Sequence, residues 1–203
     1  MLLYVTGSSC SGKTTLVLAV AQRVPDLAVH DVDEPAAPHG ASSEYWVRRA
    51  IEYQDRGTDV LLAGQAPLGE ILAAPSAPLL DGIAVCLIDV ADDVRRGRLA
   101  LRGPGKYGAA AVEAFVDWAA WHRGHALDPR HRPDVLVAAG RTCPGWLRWS
   151  DWSAQDPRWC TRILDTTNQP VDDSVDQLEA WITGRRSAHG EGRLPLRPGW
   201  DGG

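Results

Sequence analysis

Several features that would assign this sequence to a particular class are scarce or missing. The 203 residues include four cysteines, but no C-x-x-C pair and no histidines at zinc-finger spacing from them. Free thiols in a reducing compartment are the simplest interpretation. No apolar stretch is long enough to span a membrane, and the chain starts with a predicted strand and not with a signal peptide. We therefore expect a cytoplasmic protein without a membrane partner.

Positive charge is scarce as well. The formal net charge is −5, and only two lysines, Lys13 and Lys106, accompany nineteen arginines. With this charge balance, we do not expect nucleic acid to be a partner, unless it binds to a local basic groove. A single phenylalanine stands against nine tryptophans. The bulk of the hydrophobic core must therefore come from aliphatic residues and tryptophan.

A phosphate-binding pattern begins four residues into the chain. Residues 5–15 read VTGSSCSGKTT and match G-x-x-x-x-G-K-[ST]. An apolar run precedes this stretch and a helical pattern follows it, which is the setting that makes the motif credible. Glycines let the backbone fold around an anion, and the helix adds its positive end. The predicted nucleotide-binding residues are Gly7, Ser8, Ser9, Cys10, Ser11, Gly12, Lys13, Thr14 and Thr15.

Two side chains of this loop have predicted chemical roles. Lys13 should reach the β- and γ-phosphates and take part in catalysis, and the Thr14 hydroxyl should ligate Mg²⁺. The loop alone does not identify what receives the phosphate.

Strands and helices alternate along the rest of the chain. Predicted strands lie near 2–6, 27–30, 60–63, 83–88 and 162–165, with helices between them. This alternation predicts an α/β fold with a five-stranded parallel sheet covered by helices on both faces. Residues 184–203 are rich in Gly, Arg and Pro and are predicted to form a disordered tail.

The whole pattern over residues 1–183 resembles the small P-loop kinases, including adenylate, shikimate and gluconate kinases and the chloramphenicol phosphotransferase group. It also resembles bacterial proteins labelled only as ATPases, which have similar GQ-PLGE and LDTT stretches. The resemblance implies a three-layer P-loop NTPase sandwich with a helical lid, in which residues of about 98–160 form the lid and acceptor region. It implies ATP and Mg²⁺ as cofactors and a small molecule as acceptor.

The resemblance also gives a role to the acidic stretch DVDE at residues 31–34. In such kinases an acidic pair after the second strand faces the γ-phosphate. Asp31 is the expected Mg²⁺-linked residue, and Asp33 is the expected acceptor-binding group or base. Because residues two apart share one face of a strand, both carboxylates are expected to point toward one site if the strand continues. A solvent-exposed acidic turn is the alternative.

An arginine-rich helix near residues 92–102 resembles the helix that leads into the lid. Arg95, Arg98 and Arg102 share one helical face, which can match phosphate oxygens. Arg102 is the preferred catalytic candidate, followed by Arg98. The glycines and proline that come next are typical of a hinge. The alternative is a solvated helix face.

The loop after the last strand is the expected neighbour of the adenine base. Thr166 and Thr167 are the candidates there, and a helix cap is an equally good interpretation. The third strand departs from the pattern of many P-loop enzymes, because it ends in Gly64-Gln65 without an acidic residue. This departure argues against a plain ATPase and moves the metal-binding role to Asp31 or Asp33.

The tryptophans leave two interpretations open. Trp118, Trp121, Trp146, Trp149, Trp152 and Trp159 either line an acceptor pocket with neighbouring arginines or form a core.

The sequence thus predicts an ATP- and Mg-dependent kinase that phosphorylates a small molecule, most simply on a hydroxyl. A nucleoside monophosphate kinase is the close alternative, since Arg48 and Arg49 stand where a second arginine cluster is expected. A nucleotide-binding switch without kinase activity and a polynucleotide 5′-end kinase are further alternatives. Neither the oligomeric state nor the choice between ATP and GTP follows from the sequence.

Overall fold

A parallel sheet of five strands forms the centre of the protein. The computed structural model describes residues 1–34, 37, 42–102, 105–138 and 144–202. The strands have the order β2-β3-β1-β4-β5 and all pair in parallel. They are β1 (Leu2–Thr6), β2 (Leu27–Asp31), β3 (Asp59–Ala63), β4 (Ile83–Asp89) and β5 (Thr161–Asp165). The predicted fold class is confirmed.

Helices cover both faces of this sheet. They are α1 (Lys13–Ala21), α2 (Ser43–Gln54), α3 (Leu68–Ala73), α4 (Asp92–Leu101), α5 (Ala109–Leu127), α6 (Asp134–Ala138) and α7 (Val171–Gly190), with 3-10 turns at Ala77–Leu79 and Pro144–Trp149. Within the described ranges, the longest helices carry too many polar residues to cross a bilayer, and none meets the requirements of a membrane span.

The central strands are buried on both faces, as their unbroken apolar sequences predict. Alternate residues of β1 enter different cores. Leu2 and Tyr4 pack with α2, α3 and most of the tryptophans. Leu3 and Val5 pack with α1 and α7. Because every strand runs in the same direction, the carboxyl ends of all five meet at one edge, where the phosphate loop lies.

The cysteines described by the structure are free thiols. These are Cys10, Cys86 and Cys160. Burial raises the pKa of the Cys86 thiol to about 12, so it stays protonated and behaves as a small apolar core residue. Cys143 lies outside the described residues.

The structure corrects the prediction of a disordered tail at 184–203. Helix α7 continues through Gly190, and Leu194, Leu196 and Trp200 are buried. The Ile83 N–H at the start of β4 donates to the Leu196 carbonyl over 3.0 Å. This stretch is rich in Gly, Arg and Pro. Its few large apolar residues are nevertheless buried against the core. The domain therefore extends beyond residue 183.

Replacing Trp200 with Ala tests this correction. Trp200 is 4% exposed and meets Trp152 edge-on at 5.9 Å between ring centroids. We expect the free energy of unfolding to fall by about 3–5 kcal/mol, because the substitution leaves a cavity. Urea denaturation is the measurement. Leu18→Ala on the exposed side of α1 is the control and should change stability by less than about 0.5 kcal/mol. If both substitutions had equally small effects on stability, the result would support the earlier prediction of a disordered tail.

Candidate active site

The phosphate loop joins β1 to α1 with a backbone that few side chains tolerate. Gly7 has φ 147°, and a Cβ at this position would lie 2.3 Å from the Ile88 carbonyl oxygen. Gly12 has φ 100°, and Cys10 between them is also left-handed at φ 61°. The motif glycines are therefore needed for the loop to turn tightly beside β4. All the residues from Cys10 to Thr15 line one cavity of about 520 Å³.

Lys13 is folded back on its own loop. Its Nζ donates to the Gly7 carbonyl over 2.6 Å and to the Ser8 carbonyl over 3.2 Å. Burial lowers the pKa of Lys13 to about 8, while the charge of Asp31 acts in the opposite direction. The Lys13 ammonium thus lies inside the phosphate loop, where a ligand could replace its two carbonyl partners. A phosphate anion would be a stronger partner and would favour the charged form.

Other loop residues are fixed from outside the loop. The Ser8 hydroxyl donates to the Phe115 carbonyl of α5 over 2.8 Å. The Ser9 carbonyl accepts from Arg95 over 2.7 Å. Thr14 and Thr15 are exposed on the first turn of α1. The structure therefore brings the predicted loop residues together, and it leaves the Thr14 hydroxyl open to a ligand.

Arg95 differs from its expected role. It is completely buried and donates to Asp89 at the end of β4 over 2.7 Å as well as to the Ser9 carbonyl. Arg123 on α5 pairs with the same Asp89 and with Asp92. Arg95 is thus a support of the phosphate loop and not a free phosphate ligand. Helical spacing correctly placed Arg95 on the face of α4 that meets the phosphate loop. The sequence did not show that its guanidinium would pair with Asp89.

Arg98 and Arg102 lie at the cavity with the phosphate loop, as predicted. Arg98 is half-buried and donates to the carbonyls of Cys10, Ser11 and Thr166. Arg102 follows the end of α4, is exposed, and has its Nη1 3.9 Å from the Cys10 Sγ. Arg98 holds two loops together in this arrangement, whereas Arg102 has the freer guanidinium. The hinge interpretation rests on Gly103, Pro104, Gly105 and Gly108, of which Gly103 and Pro104 lie outside the described residues.

The acidic residues after β2 are arranged by a turn and not by a continuing strand. β2 ends at Asp31, and the Asp33 N–H donates to the Asp31 carboxylate over 3.0 Å. His30 anchors the turn through Glu34 at 3.1 Å and the Tyr53 hydroxyl at 3.0 Å. The expectation of one shared strand face is therefore corrected. Both Asp31 and Asp33 nevertheless influence Lys13, since each acts to raise its pKa.

The two threonines after β5 have different environments. Thr166 is buried, lines the loop cavity, and donates its hydroxyl to the carbonyls of Ser11 and Asp89. The Thr167 hydroxyl contacts Asp165 and accepts from the Ala91 N–H. Thr167 thus connects this loop to the residue before α4. It does not cap α7, because the N-cap of that helix is Pro170 and no side-chain hydrogen bond is made there, so the helix-cap interpretation is wrong. Thr166 is the threonine that lies at the loop cavity.

A second and larger cavity, of about 880 Å³, is lined in part by Val32 and Asp33 of the turn after β2. Asp33 and Gln65 are among the residues that line it, and both side chains are exposed. We refer to it as the acceptor cavity. Its aromatic lining consists of Tyr4, Trp46, Phe115, Trp118 and Trp146.

The tryptophans divide between the two roles that the sequence left open. Trp118 and Trp146 line the acceptor cavity, whereas Trp121, Trp149, Trp152 and Trp159 are buried in the core. Two histidines of α5 pack among them. Burial lowers the pKa of His122 to about 3 and that of His125 to about 4, so both stay neutral and have a packing role. Sequence spacing alone does not distinguish a cavity wall from a core.

Solved structures with a similar chain path identify the fold. A sugar kinase from Janibacter matches with 16% identity over 90% of this chain and 94% of its own, at a TM-score of 0.54. A gluconokinase from Sinorhizobium meliloti matches with 14% identity over 93% and 95%, at 0.55. Thymidylate kinase from Candida albicans matches with 12% identity over 93% and 92%, at 0.51. The fold is that of the small P-loop kinases. No protein-family model and no curated protein matches the sequence.

The sequence predicts Thr14 and Asp31 as the residues that hold Mg²⁺. Among the described residues, no cluster of three or more His, Cys, Asp or Glu side chains can hold a metal by itself. Mg²⁺ typically takes one or two protein ligands and completes its shell with phosphates and water. The exposed Thr14 hydroxyl and the Asp31 carboxylate near Lys13 fit that pattern.

The two arginines expected to form a second cluster for a nucleotide acceptor are both held by ion pairs on α2. Arg48 pairs with Glu44, and Arg49 pairs with Glu52. Neither arginine is among the described residues that line the acceptor cavity. Arg48 nevertheless contacts the wall of this cavity, because its partner Glu44 is a lining residue. A nucleoside monophosphate kinase therefore stays an alternative.

Replacing Arg95 with Ala should destabilise the protein strongly. The substitution leaves Asp89 buried with one of its two arginines missing, and a broken buried ion pair costs about 3–5 kcal/mol. Urea denaturation measures the change. The neighbouring Arg96→Ala is the matched control, because Arg96 is exposed and pairs with Glu113 at the surface. We expect almost no shift of its urea midpoint, and equal shifts for both variants would contradict the role given to Arg95.

Proposed function

We propose that this protein is an ATP- and Mg-dependent phosphotransferase that moves the γ-phosphate of ATP to a hydroxyl of a small molecule. The observation that carries the proposal is the presence of two cavities, one lined by Lys13 and the other by Asp33. One is formed by the phosphate loop with Arg98, Arg102 and Thr166. The other is the acceptor cavity, lined in part by Asp33, whose charge acts on Lys13.

The side chains of the chain supply charge, position and a proton acceptor for this reaction. Transfer breaks the bond between the γ-phosphorus and the bridging oxygen of ATP and forms a bond to the acceptor oxygen. The acceptor proton would pass to Asp33, and ADP would leave. Lys13 and Arg102 would bind oxygens of the transferred group, with Arg98 ordering the loop between them. Bound Mg²⁺ would neutralise phosphate charge, held by Thr14 and Asp31.

A nucleotide-binding switch is the second candidate from the sequence. It would bind the same nucleotide through the same loop and would not need an acceptor cavity. The acceptor cavity beside Asp33 favours the phosphotransferase.

A coupled assay of ADP release tests the proposal. The protein is incubated with ATP and Mg²⁺ against nucleosides, nucleoside monophosphates, sugars and aryl alcohols. Release that depends on one acceptor supports a kinase. Tight nucleotide binding with the same slow release in the presence and absence of every acceptor would contradict it and favour the switch.

Lys13→Ala should abolish acceptor-dependent ADP release. The variant loses the one ammonium at the phosphate loop, and such charge stabilisation is typically worth about 10²–10³-fold in rate. Lys106→Ala is the control, since Lys106 is the other lysine of the chain and is exposed. We expect Lys106→Ala to keep the wild-type rate. A fully active Lys13→Ala variant would contradict the assignment of this loop as the phosphate-binding loop of a kinase.

Asp33→Asn tests the predicted base. The amide keeps the shape of the side chain but does not accept the acceptor proton, so kcat should fall by about 10²–10⁴-fold. Nucleotide affinity, measured by calorimetry, should change little, because Asp33 lies in the acceptor cavity. Asp117→Asn, at an exposed position of α5, is the control. A rate for Asp33→Asn within threefold of wild type (about 0.65 kcal/mol of activation free energy) would exclude the base role.

A further inference from the structure

We propose that the edge of the sheet opposite the phosphate loop holds a binding site for a small organic anion, a carboxylate with a short apolar part. The site is a cavity of about 210 Å³ at the amino ends of β4 and β5. We refer to it as the base cavity. None of its described lining residues belongs to the acceptor cavity or to the cavity of the phosphate loop. Binding there does not depend on the proposed function.

Three separate parts of the chain build the apolar walls of the base cavity. They are the start of β4, helix α7 and the C-terminal segment of residues 194–200, which contribute Ile83, Ala84, Trp181, Leu194 and Leu196. All five side chains are buried. The Ile83 N–H holds the C-terminal segment in place by donating to the Leu196 carbonyl over 3.0 Å. Walls of this kind accommodate the apolar part of a ligand.

Two arginines also line the base cavity, on the face of the sheet that α7 covers. Arg185 follows Trp181 by about one helical turn, so the two residues share one side of α7. Arg162 of β5 lies opposite Cys86 in register, and Cys86 packs in the core formed with α1 and α7. Residues paired in register point to the same face of a sheet. The fold thus brings two arginine side chains from different elements to one cavity.

Neither of these arginines is paired within the part of the chain that the structure describes. No hydrogen bond or ion pair joins Arg162 or Arg185 to a described residue, and the Nε of Arg185 is buried without a hydrogen-bond partner. Arg158, a third arginine of the lining, differs because it pairs with Asp156 at 2.8 Å and donates to the Trp200 carbonyl over 2.8 Å. The base cavity therefore has two arginines whose charge no described carboxylate matches.

An oxyanion would supply the partner that these arginines lack. A guanidinium that has lost water at one nitrogen without gaining a protein partner carries an unfavourable desolvation free energy. The oxygens of an anion can accept hydrogen bonds from the Nη groups of both Arg162 and Arg185, and hydrogen bonds between charged groups are the strong ones. Carboxylates and phosphates share this chemistry, so charge alone does not choose between them.

The size and the apolar walls of the base cavity favour a carboxylate. Cavities for drug-sized ligands have about 300–1,000 Å³, so a cavity of about 210 Å³ suits a smaller molecule. A phosphate ion has no apolar part to pack on Trp181 and Leu194, whereas an acid with a few carbon atoms would remove their surface from water. A short monocarboxylate meets both requirements.

Thiol protection tests the site and locates the ligand. Cys160 is exposed and lines the base cavity, whereas Cys10 lines the cavity of the phosphate loop. Both are free thiols. The full chain is alkylated with iodoacetamide at constant ionic strength, in the presence of butyrate, its neutral isostere butyramide, or inorganic phosphate. Peptide mass spectrometry follows each cysteine, so binding at the base cavity is distinguished from binding at the phosphate loop.

We expect butyrate to slow the alkylation of Cys160 and to leave that of Cys10 unchanged. The dissociation constant from the Cys160 rates should be at least tenfold lower for butyrate than for butyramide, because only the anion pairs with the arginines. It should also be at least tenfold lower than for phosphate, which has no apolar part. Protection of Cys160 by butyramide or phosphate that equals protection by butyrate, or no protection by butyrate, would overturn the inference.

Arginine variants test whether the two guanidinium groups bind the anion. Arg162→Gln and Arg185→Gln should each weaken butyrate binding at least tenfold. Arg193→Gln is the matched control, because Arg193 is exposed, pairs with Glu191 and is outside the described lining. Since Arg162 is also exposed, its replacement should leave the melting temperature unchanged, and its result stands even if Arg185→Gln fails to fold. Equal butyrate affinities of Arg162→Gln and Arg193→Gln would contradict the site.

Discussion

The buried ion pair between Asp89 and Arg95 is the interaction on which the rest of the site depends. Asp89 ends strand β4, which pairs with the central strand β1, and Arg95 connects Asp89 to the Ser9 carbonyl of the phosphate loop. Arg123 brings α5 to the same carboxylate. A charged pair at this depth is costly unless its hydrogen bonds are made, and here the guanidinium also reaches the loop backbone. The pair therefore fixes the loop, α4 and α5 relative to one strand end.

Around this support, the chain separates two kinds of surface. The loop glycines, Lys13 and the arginines after α4 form a polar cavity suited to phosphates. The turn after β2 carries Asp33 into a cavity with aromatic walls. The Ser8 hydroxyl, bonded to the Phe115 carbonyl, connects the loop to the helix that forms part of the aromatic wall. Positions on both sides are thus set by the same helix, α5.

The strands and helices were predictable because parallel sheets have near-continuous apolar strands and the phosphate motif marks the first turn. Local spacing also predicted that Arg98 and Arg102 share one helical face, and the resemblance to small P-loop kinases implied that this face meets the phosphates. Neither of these signals predicted that Asp89 neutralises Arg95 or that Asp31 and Asp33 occupy a turn, since both depend on contacts between distant elements. The buried tail was missed because three apolar residues among Gly, Arg and Pro give no periodic signal.

The buried segment from Leu194 to Trp200 has a consequence for how the chain folds. Its Leu196 carbonyl accepts a hydrogen bond from the Ile83 N–H at the start of β4. In the sequence, helices α4, α5 and α7 all lie between these two residues. Contacts of such separation form late, since a long loop must close first. During synthesis, the base of the sheet near Ile83 therefore stays uncovered while the phosphate loop and its strand neighbours are already complete.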